Sequence, residues 1–313
     1  MLSDLPGPTR PRYAAVACRG FWGIEMIYAS GFSEPEGPLL LADGSWFLTE
    51  MGSERGCVSH FTPERGIVQI ARTGRPNGLS ARKNGTIWIT ESLSPSLRRL
   101  NLDAKVDVVL REVDGEPLLW PNDLCFGPDG ALYMTDSGIR IGDLVLDGRV
   151  RPDYRHTPID GRVFRINLET LRAEKIDSGL KFPNGIAFGP KGNLYVTETF
   201  TGAIYCYRWV GGRFAARDEF ANVIDPEGPQ GLVGPDGMAF GADEKLYVAV
   251  YGQGQVSVVS PGGSILQRIP TAGVRPSNVA FGPKGEKRIY VTEAELGQFE
   301  SFEATSDGLP LYH

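Results

Sequence analysis

The chain has 313 residues, 22% of them charged and 41% hydrophobic, with a formal net charge of −6. This acidic balance argues against nucleic acid and anionic membrane surfaces as partners. The apolar runs are of strand length, too short to cross a bilayer as helices, and the first eight residues lack the apolar core of a signal peptide. We therefore predict a cytoplasmic protein without membrane association.

The chain begins with residues 1–20, which have no strand or helix pattern and are predicted to form an N-terminal arm. The remaining residues, 21–313, are predicted to form one domain. Within it the apolar stretch Phe21 to Ala29 precedes the first repeat. We expect this stretch to supply an outer strand that pairs with the last repeat, because a closed ring leaves no free strand edge.

A short unit then recurs six times: a proline, a polar residue, an apolar strand, a turn and a second apolar strand. Most of the turns contain Asp-Gly, Asn-Gly or a Pro-x-Gly triplet, which suit β-hairpins. The prolines that begin the units are 41, 45, 62, 52 and 41 residues apart, at Pro35, Pro76, Pro121, Pro183, Pro235 and Pro276.

A period of about 40 to 50 residues with four short strands is typical of a β-propeller blade. The sequence therefore predicts an all-β, six-bladed β-propeller with four antiparallel strands per blade. The alternative, a tandem array of β-sandwiches, would need about 100 residues per domain.

The longest interval lies between the third and fourth units, where residues 137–160 are in excess of the repeat. Their mixed charge favours a solvated loop over a basic patch that grips substrate. Long loops in compact folds are often lids, so that role is left open. His156 in this segment is a candidate substrate contact, with an ordinary surface histidine as the alternative.

The four cysteines share no Cys-x-x-Cys spacing. Cys125 and Cys206 lie in apolar strands, where a free cysteine behaves as a small hydrophobic residue. This favours a reduced protein. A Cys18–Cys57 bridge remains as the alternative.

The residue after each proline is polar and carries an oxygen. In a propeller the first strands line the central channel, so six equivalent positions meet at one of its mouths. Turn formation explains any one of these residues, but less well a ring that contains two carboxylates. The six are Glu36, Asn77, Asn122, Asn184, Asp236 and Ser277, with Asn278 one step further on.

Carboxylates held together in a recessed mouth would repel each other unless a cation compensates their charge. Calcium takes six to eight oxygen ligands and accepts carboxamide oxygens. None of the three histidines, His60, His156 and His313, falls on a repeat position, which argues against zinc. We predict a divalent metal site in the central channel, with Ca²⁺ favoured and Zn²⁺, Mn²⁺, Mg²⁺ and Fe²⁺ as the alternatives.

Four motifs resemble those of the senescence marker protein (regucalcin)/gluconolactonase family of six-bladed propeller lactonases, over residues 30–297. They are Glu36-Gly37-Pro38, Pro121-Asn122-Asp123, Pro183-Asn184-Gly185 and Pro235-Asp236-Gly237-Met238. The resemblance implies that Glu36, Asn184 and Asp236 bind the metal. It further implies that Asn122 is a ligand or a substrate contact, and that Asp236 doubles as the catalytic acid/base.

The family places an arginine two residues before the Asn122 position, where this chain has Trp120. That departure favours a flatter or more apolar substrate than a gluconolactone-type polyol. Trp120, Asn77 and Asn278 are expected to line the substrate pocket, with packing between blades and strand-start turns as their alternative roles.

The implied reaction is hydrolysis of a small-molecule lactone to a hydroxy acid, with Asp236 as general base or as nucleophile. No Gly-x-Ser-x-Gly motif occurs, which disfavours a serine esterase. The competing interpretations are a phosphotriesterase of the diisopropylfluorophosphatase type, a non-catalytic ligand-binding propeller and a metal-free strictosidine-synthase-like propeller. Oligomeric state is left open.

Overall fold

The structure, a computed structural model, describes residues 26–101, 103–146 and 149–313. Six four-stranded antiparallel sheets follow one another along this part of the chain. The predicted all-β six-bladed propeller with four antiparallel strands per blade is thus confirmed. The predicted arm at residues 1–20 lies outside the described residues, as does Cys18.

Each of blades 1 to 5 consists of four strands in sequence order, the first innermost. The strands of blades 1 and 2 are Pro35–Leu40, Trp46–Glu50, Cys57–Thr62 and Gly66–Arg72, then Pro76–Ala81, Ile87–Glu91, Ser96–Leu100 and Val106–Leu110. Those of blades 3 and 4 are Pro121–Phe126, Leu132–Asp136, Gly161–Asn167 and Arg172–Leu180, then Pro183–Phe188, Leu194–Glu198, Ala203–Tyr207 and Asp218–Asn222. Those of blade 5 are Gly234–Phe240, Leu246–Tyr251, Gln255–Val259 and Ile265–Pro270.

Blade 6 closes the ring by joining the two ends of the described chain. Its three inner strands are Pro276–Phe281, Arg288–Glu293 and Gln298–Glu303, and its outermost strand is Met26–Ser30. Met26–Ser30 pairs antiparallel with Gln298–Glu303. The predicted closing strand is therefore confirmed at Met26–Ser30, and the earlier part of the predicted stretch, residues 21–25, lies outside the described residues.

The excess segment after blade 3's second strand forms short elements of its own. They are the helix Ile141–Leu144, the hairpin Val145–Leu146 with Arg149–Val150, and the 3₁₀ turn Tyr154–His156. Further short elements are the hairpins Glu112–Val113 with Glu116–Pro117 and Trp209–Val210 with Arg213–Phe214, and the 3₁₀ turn Pro190–Gly192. In the described part of the chain, no helix has both the length and the apolarity needed to span a bilayer.

The hydrophobic core is divided into wedges between neighbouring blades. Between blades 2 and 3, for example, Trp88 and Leu97 pack with Met134 and Phe164, all of them buried. Burying a side chain of this size stabilises the fold by roughly 1.5–3 kcal/mol. Because the apolar faces lie between the sheets, the inner ends of the first strands are free to carry polar groups into the channel.

The C-terminal residues cross the end of the channel at which the first strands finish. Leu309 donates its backbone N–H to the Phe240 carbonyl at 2.8 Å, Tyr312 packs edge-on against Phe188 at 5.8 Å, and the His313 ring lies 3.2 Å from the Ala81 carbonyl. These partners end the first strands of blades 5, 4 and 2. Since blades 5 and 2 are opposite one another in a ring of six, the tail passes across the channel axis.

The cysteines of the described residues, Cys57, Cys125 and Cys206, are free thiols. As predicted, Cys125 and Cys206 lie in strands, within blades 3 and 4.

Candidate active site at one mouth of the channel

The polar residues that follow the six prolines stand at the start of the first strands, one per blade. Five of them are buried and Asp236 is partly buried. The exposed fractions of the buried five are 2% for Glu36, 5% for Asn77, 2% for Asn122, 6% for Asn184 and 1% for Ser277. The ring predicted from the repeat is therefore assembled at one mouth of the channel.

The ring is narrow because glycine follows the polar residue in four blades. A Cβ on Gly185 would lie 2.4 Å from the Asp236 carbonyl oxygen, and one on Gly237 would lie 2.0 Å from the Asn278 side chain. Contacts below 3.0 Å are not tolerated by real Cβ atoms. Glycine thus lets the first strands of adjacent blades approach each other at this depth.

Threonine hydroxyls fix the main chain of the ring from the preceding blade. Thr49 donates to the Asn77 carbonyl at 2.6 Å, and Thr90 donates to the Asn122 carbonyl. Thr135 and Thr197 do the same for Asn184 at 2.5 Å and Asp236 at 2.8 Å. Each of these four residues is therefore held by a blade other than its own, so that the ring depends on closure of the whole propeller.

The carboxylates of the site are buried together and disfavour each other's ionisation. Burial raises the pKa of Glu36 to about 8, and the nearby Asp123 adds to the rise. Burial, followed by the charges of Glu36 and Asp123, raises the pKa of Asp236 well above its usual range. In the opposite direction, a hydrogen bond from Asn184 and the charge of Arg75 favour the Asp236 carboxylate. Carboxylates that are buried this close together require a proton or a bound cation to offset their negative charge.

Asp123 is a further acid of the site that was not among the predicted site residues. It is 8% exposed, its carboxylate accepts the backbone N–H of Leu124 at 2.8 Å, and burial raises its pKa to about 7. The signal was present in the repeat, because Asp123 stands where blades 1, 2, 4 and 5 have glycine. Asn278 makes the same departure in blade 6, and its side chain donates to Glu36 at 3.1 Å.

Two asparagines of the ring have their carboxamide orientation fixed by a hydroxyl. The Ser137 hydroxyl donates its single proton to the Pro183 carbonyl at 3.0 Å, so it can only accept from Asn122 Nδ2, 3.0 Å away. Thr199 likewise donates to the Pro235 carbonyl at 2.9 Å and accepts from Asn184 Nδ2 at 3.2 Å. The oxygen of each carboxamide must therefore face away from the hydroxyl.

The side-chain oxygens of Asn77, Asn122 and Asn184 are buried without a hydrogen-bond partner. Leaving a buried carbonyl oxygen unpaired costs about 1–3 kcal/mol, so three in one ring require an explanation. Within the described residues, no three His, Cys, Asp or Glu side chains are grouped so as to hold a metal by themselves. The donor set is instead one of mixed carboxylate and carboxamide oxygens, which suits a hard divalent cation.

Another set of buried carboxylates serves the fold. Each closes the end of the second strand in its blade and accepts a backbone N–H from the segment that leads into the first strand. Examples are Ser33 to Glu50 at 2.7 Å and Trp120 to Asp136 at 3.0 Å. The set is Glu50, Glu91, Asp136, Glu198 and Glu293. Backbone donors face all of these groups, and in blades 1 and 3 an arginine also pairs with the carboxylate.

Trp120 is 6% exposed and packs with Phe182 at 5.3 Å in a T-shaped arrangement. Both belong to an apolar cluster that also contains Phe200, Ile139 and Leu144. The excess segment is thereby packed against the starts of blades 3 and 4, and Tyr154 ties it to the Gly231 carbonyl at 2.6 Å. The segment forms a wall on one side of the mouth.

His156 lies on the exposed surface of this segment, in its 3₁₀ turn. The geometry brings Glu36, Asp236, Asn184 and Asn278 into mutual contact or electrostatic reach, whereas His156 is not connected to them by any hydrogen bond in the described structure.

A six-bladed propeller with a carboxylate and carboxamide ring at one channel mouth defines the class of this protein. Residues 35–295 match the family described as the SMP-30/Gluconolactonase/LRE-like region, and the chain belongs to that family. The family resemblance predicted from the motifs is thus confirmed.

Two relatives and one solved structure illustrate the relationship. The gluconolactonase of Zymomonas mobilis subsp. mobilis is 28% identical over 284 residues, which is 84% of this chain and 77% of that protein. The diisopropyl-fluorophosphatase of Loligo vulgaris is 29% identical over 215 residues, 66% of this chain and 64% of that protein. The structure of a gluconolactonase from Xanthomonas campestris has a TM-score of 0.76 at 21% identity, covering 94% of this chain and 98% of that one, and supports the fold.

Proposed function

We propose that the protein is a metal-dependent lactonase that hydrolyses the ring ester of a small lactone to a hydroxy acid. The observation that carries this proposal is the combination of coupled buried carboxylates with three unpaired carboxamide oxygens in one ring. Membership of a family that includes gluconolactonases supports the reaction type.

The residues that would hold the metal are Glu36, Asn122, Asn184 and Asp236. Their oxygens match the preference of Ca²⁺, the cation we favour over Zn²⁺, Mn²⁺, Mg²⁺ and Fe²⁺. A divalent cation bound there would polarise the ester carbonyl and stabilise the negative charge that develops on its oxygen.

Asp236 is the candidate for the proton or acyl transfer. It is the least buried member of the ring and so the carboxylate most open to a ligand at the mouth. As a general base it would take a proton from the attacking water and return it to the leaving alkoxide. As a nucleophile it would form an acyl-enzyme that water then hydrolyses. Single turnover in heavy-oxygen water separates the two, since only the nucleophilic route leaves label in Asp236.

The proposal is tested by measuring acid release from a panel of aldonolactones and aliphatic γ- and δ-lactones. Chelator-stripped protein is expected to be inactive, and activity is expected to return with Ca²⁺. A control variant, Glu227→Gln, removes an exposed carboxylate outside the ring, and its activity with and without Ca²⁺ should equal that of wild type. Turnover that survives complete chelation would refute metal dependence, and no turnover with any of the five cations would refute the lactonase.

Hydrolysis of phosphotriesters is a second candidate, favoured by the similarity to the diisopropyl-fluorophosphatase of Loligo vulgaris. The same assay with diisopropyl fluorophosphate decides between the lactonase and the phosphotriesterase, because the preferred substrate is the one with the higher kcat/KM. A non-catalytic binding propeller is the third interpretation. It predicts that replacement of both Glu36 and Asp236 leaves the metal content unchanged.

The hydroxyls that orient the ring provide a further prediction. Ser137→Ala and Thr199→Val free the Asn122 and Asn184 carboxamides to rotate, so each is expected to weaken Ca²⁺ binding about tenfold. Thr199→Ser should restore most of the affinity. Calorimetric titration of the stripped protein measures this without relying on turnover.

Ser92→Ala is the matched control, because Ser92 occupies the corresponding position in blade 2 but bonds to Arg75 and not to Asn77. Its Ca²⁺ affinity should equal that of wild type. Equal affinities in all the variants would show that the hydroxyls do not orient the ligands.

A further inference from the structure

The residue that precedes each of the six prolines forms a second ring, one step above the first at the mouth. Because the blades follow one another around the ring in chain order, the order of these six residues around the mouth is their order in the sequence. Blades 3 and 4 contribute aromatic groups and blades 6, 1 and 2 contribute charged groups. In order from blade 1 the rim consists of Glu34, Arg75, Trp120, Phe182, Gly234 and Arg275.

Arg75 sits where the two halves of the rim meet. Its guanidinium lies over the Trp120 ring, 5.2 Å from the centroid, and donates to the Ser92 hydroxyl at 3.2 Å. The residue is partly buried, and burial lowers the pKa of its guanidinium, while the nearby Glu34, Tyr251, Glu91 and Asp236 act in the opposite direction. The side chain is therefore held in one place beside the candidate catalytic carboxylate.

Comparable arginines are used to neutralise buried carboxylates. Arg55 pairs with Glu50 at 2.8 Å in blade 1, and Arg162 pairs with Asp136 at 3.0 Å in blade 3. In blade 2 the equivalent carboxylate, Glu91, keeps one buried oxygen without a partner. Arg75 forms an ion pair with no carboxylate among the described residues and is turned toward Trp120 instead.

A guanidinium that is positioned, partly desolvated and not ion-paired is suited to an external anion, since Arg binds carboxylates through paired N–H donors. We propose that Arg75 is the anion-binding residue of this site and that the preferred substrates are lactones bearing a carboxylate. The apolar wall of blades 3 and 4 then accommodates the ring carbons. This inference rests on the proposed lactonase function and names its substrate class.

The hydrolysis of such a substrate is balanced by water alone. Water adds to the ring carbonyl, the ring C–O bond breaks, and the product is a hydroxy dicarboxylate that carries one more negative charge than the substrate. The Arg75 contact is made by the substituent that does not react. Its loss is therefore expected to raise KM for the carboxylated substrate alone. Because the charge of Arg75 also lowers the pKa of Asp236, any change in kcat is expected to be shared by lactones with and without a carboxylate.

The test compares γ-butyrolactone with γ-carboxy-γ-butyrolactone, which share one ring, using Ca²⁺-supplemented protein. Wild type is expected to favour the carboxylated lactone by at least about tenfold in kcat/KM. Arg75→Gln should lose this preference through a higher KM for that lactone only, and Arg75→Lys should retain part of it. Arg82→Gln is the matched control, because Arg82 lies over Phe126 at 5.7 Å just past the far end of the same strand.

The experiment distinguishes failure of the proposed Arg75 role from failure of the proposed lactonase activity. Equal use of the two lactones by wild type, or equal losses on both in Arg75→Gln, would overturn the role of Arg75 while leaving lactone hydrolysis in place. If wild type hydrolyses neither lactone, calorimetric titration with the products, 2-hydroxyglutarate and 4-hydroxybutyrate, still decides. Tighter binding of the dicarboxylate that depends on Arg75 supports the anion site, and equal binding of the two refutes it.

Discussion

Asp236→Asn is expected to lower kcat for lactone hydrolysis by about a thousandfold at saturating Ca²⁺. The substitution keeps the size of the side chain and the main-chain hydrogen bond from Thr197, while it removes the carboxylate that we propose as base or nucleophile. Folding should be preserved, because the pKa of Asp236 is raised by burial and a neutral group suits that site. Stopped-flow or indicator assays with a melting curve of each protein provide the measurement.

Glu36→Gln is the informative comparison. Glu36 is buried deeper and is assigned only to metal binding, so its loss should weaken Ca²⁺ affinity roughly 10- to 100-fold. Activity of this variant should recover at high Ca²⁺, whereas that of Asp236→Asn should not. If high Ca²⁺ restored both variants equally, Asp236 would be a ligand without a separate chemical role.

Gly185→Ala is expected to destabilise the propeller by about 3 kcal/mol. The added Cβ would lie 2.4 Å from the Asp236 carbonyl oxygen and 2.9 Å from Gly237 Cα, which are backbone atoms of the adjacent blade. Gly185 does not have a positive φ, so the effect is one of space between strands. Urea unfolding and calorimetry should register the loss, together with weaker Ca²⁺ binding because the ring is forced apart.

Gly142→Ala serves as the control for this substitution. Gly142 lies in the short helix of the excess segment, has no positive φ and has nothing within 4 Å of an added Cβ. Its stability is expected to equal that of wild type or to exceed it slightly. A Gly185→Ala protein as stable as Gly142→Ala would mean that the inner strands can separate at no cost.

The fold was predictable because each repeat contains the signals that set where its strands begin and turn. Proline marks the start of each first strand, a turn signal follows, and six such units fill the chain, so blade number and strand order follow. The ring residues were predictable for the same reason, since one register position per blade must lie at one mouth. The closing strand was predicted from ring closure and an apolar stretch, Phe21 to Ala29, that has no proline to mark the start of the strand.

Other parts of the site depend on contacts between blades, which no local pattern encodes. The role of Ser137 in orienting Asn122 requires knowing that its proton is committed to the Pro183 carbonyl in blade 4. Asp123 was not predicted as a site residue, because the prediction rests on the residue types that the repeats share and Asp123 departs from them. The packing of the excess segment on Trp120 likewise appears only in three dimensions.

The C-terminal tail that crosses the far end of the channel makes the two ends of the channel unequal. Leu309, Tyr312 and His313 lie across the end below the ring. The other end, with Arg75 and Trp120 at its rim, is the side from which a ligand would reach the proposed site. Under the proposed function, product and substrate would then share this side, and we expect the hydroxy acid product to inhibit competitively.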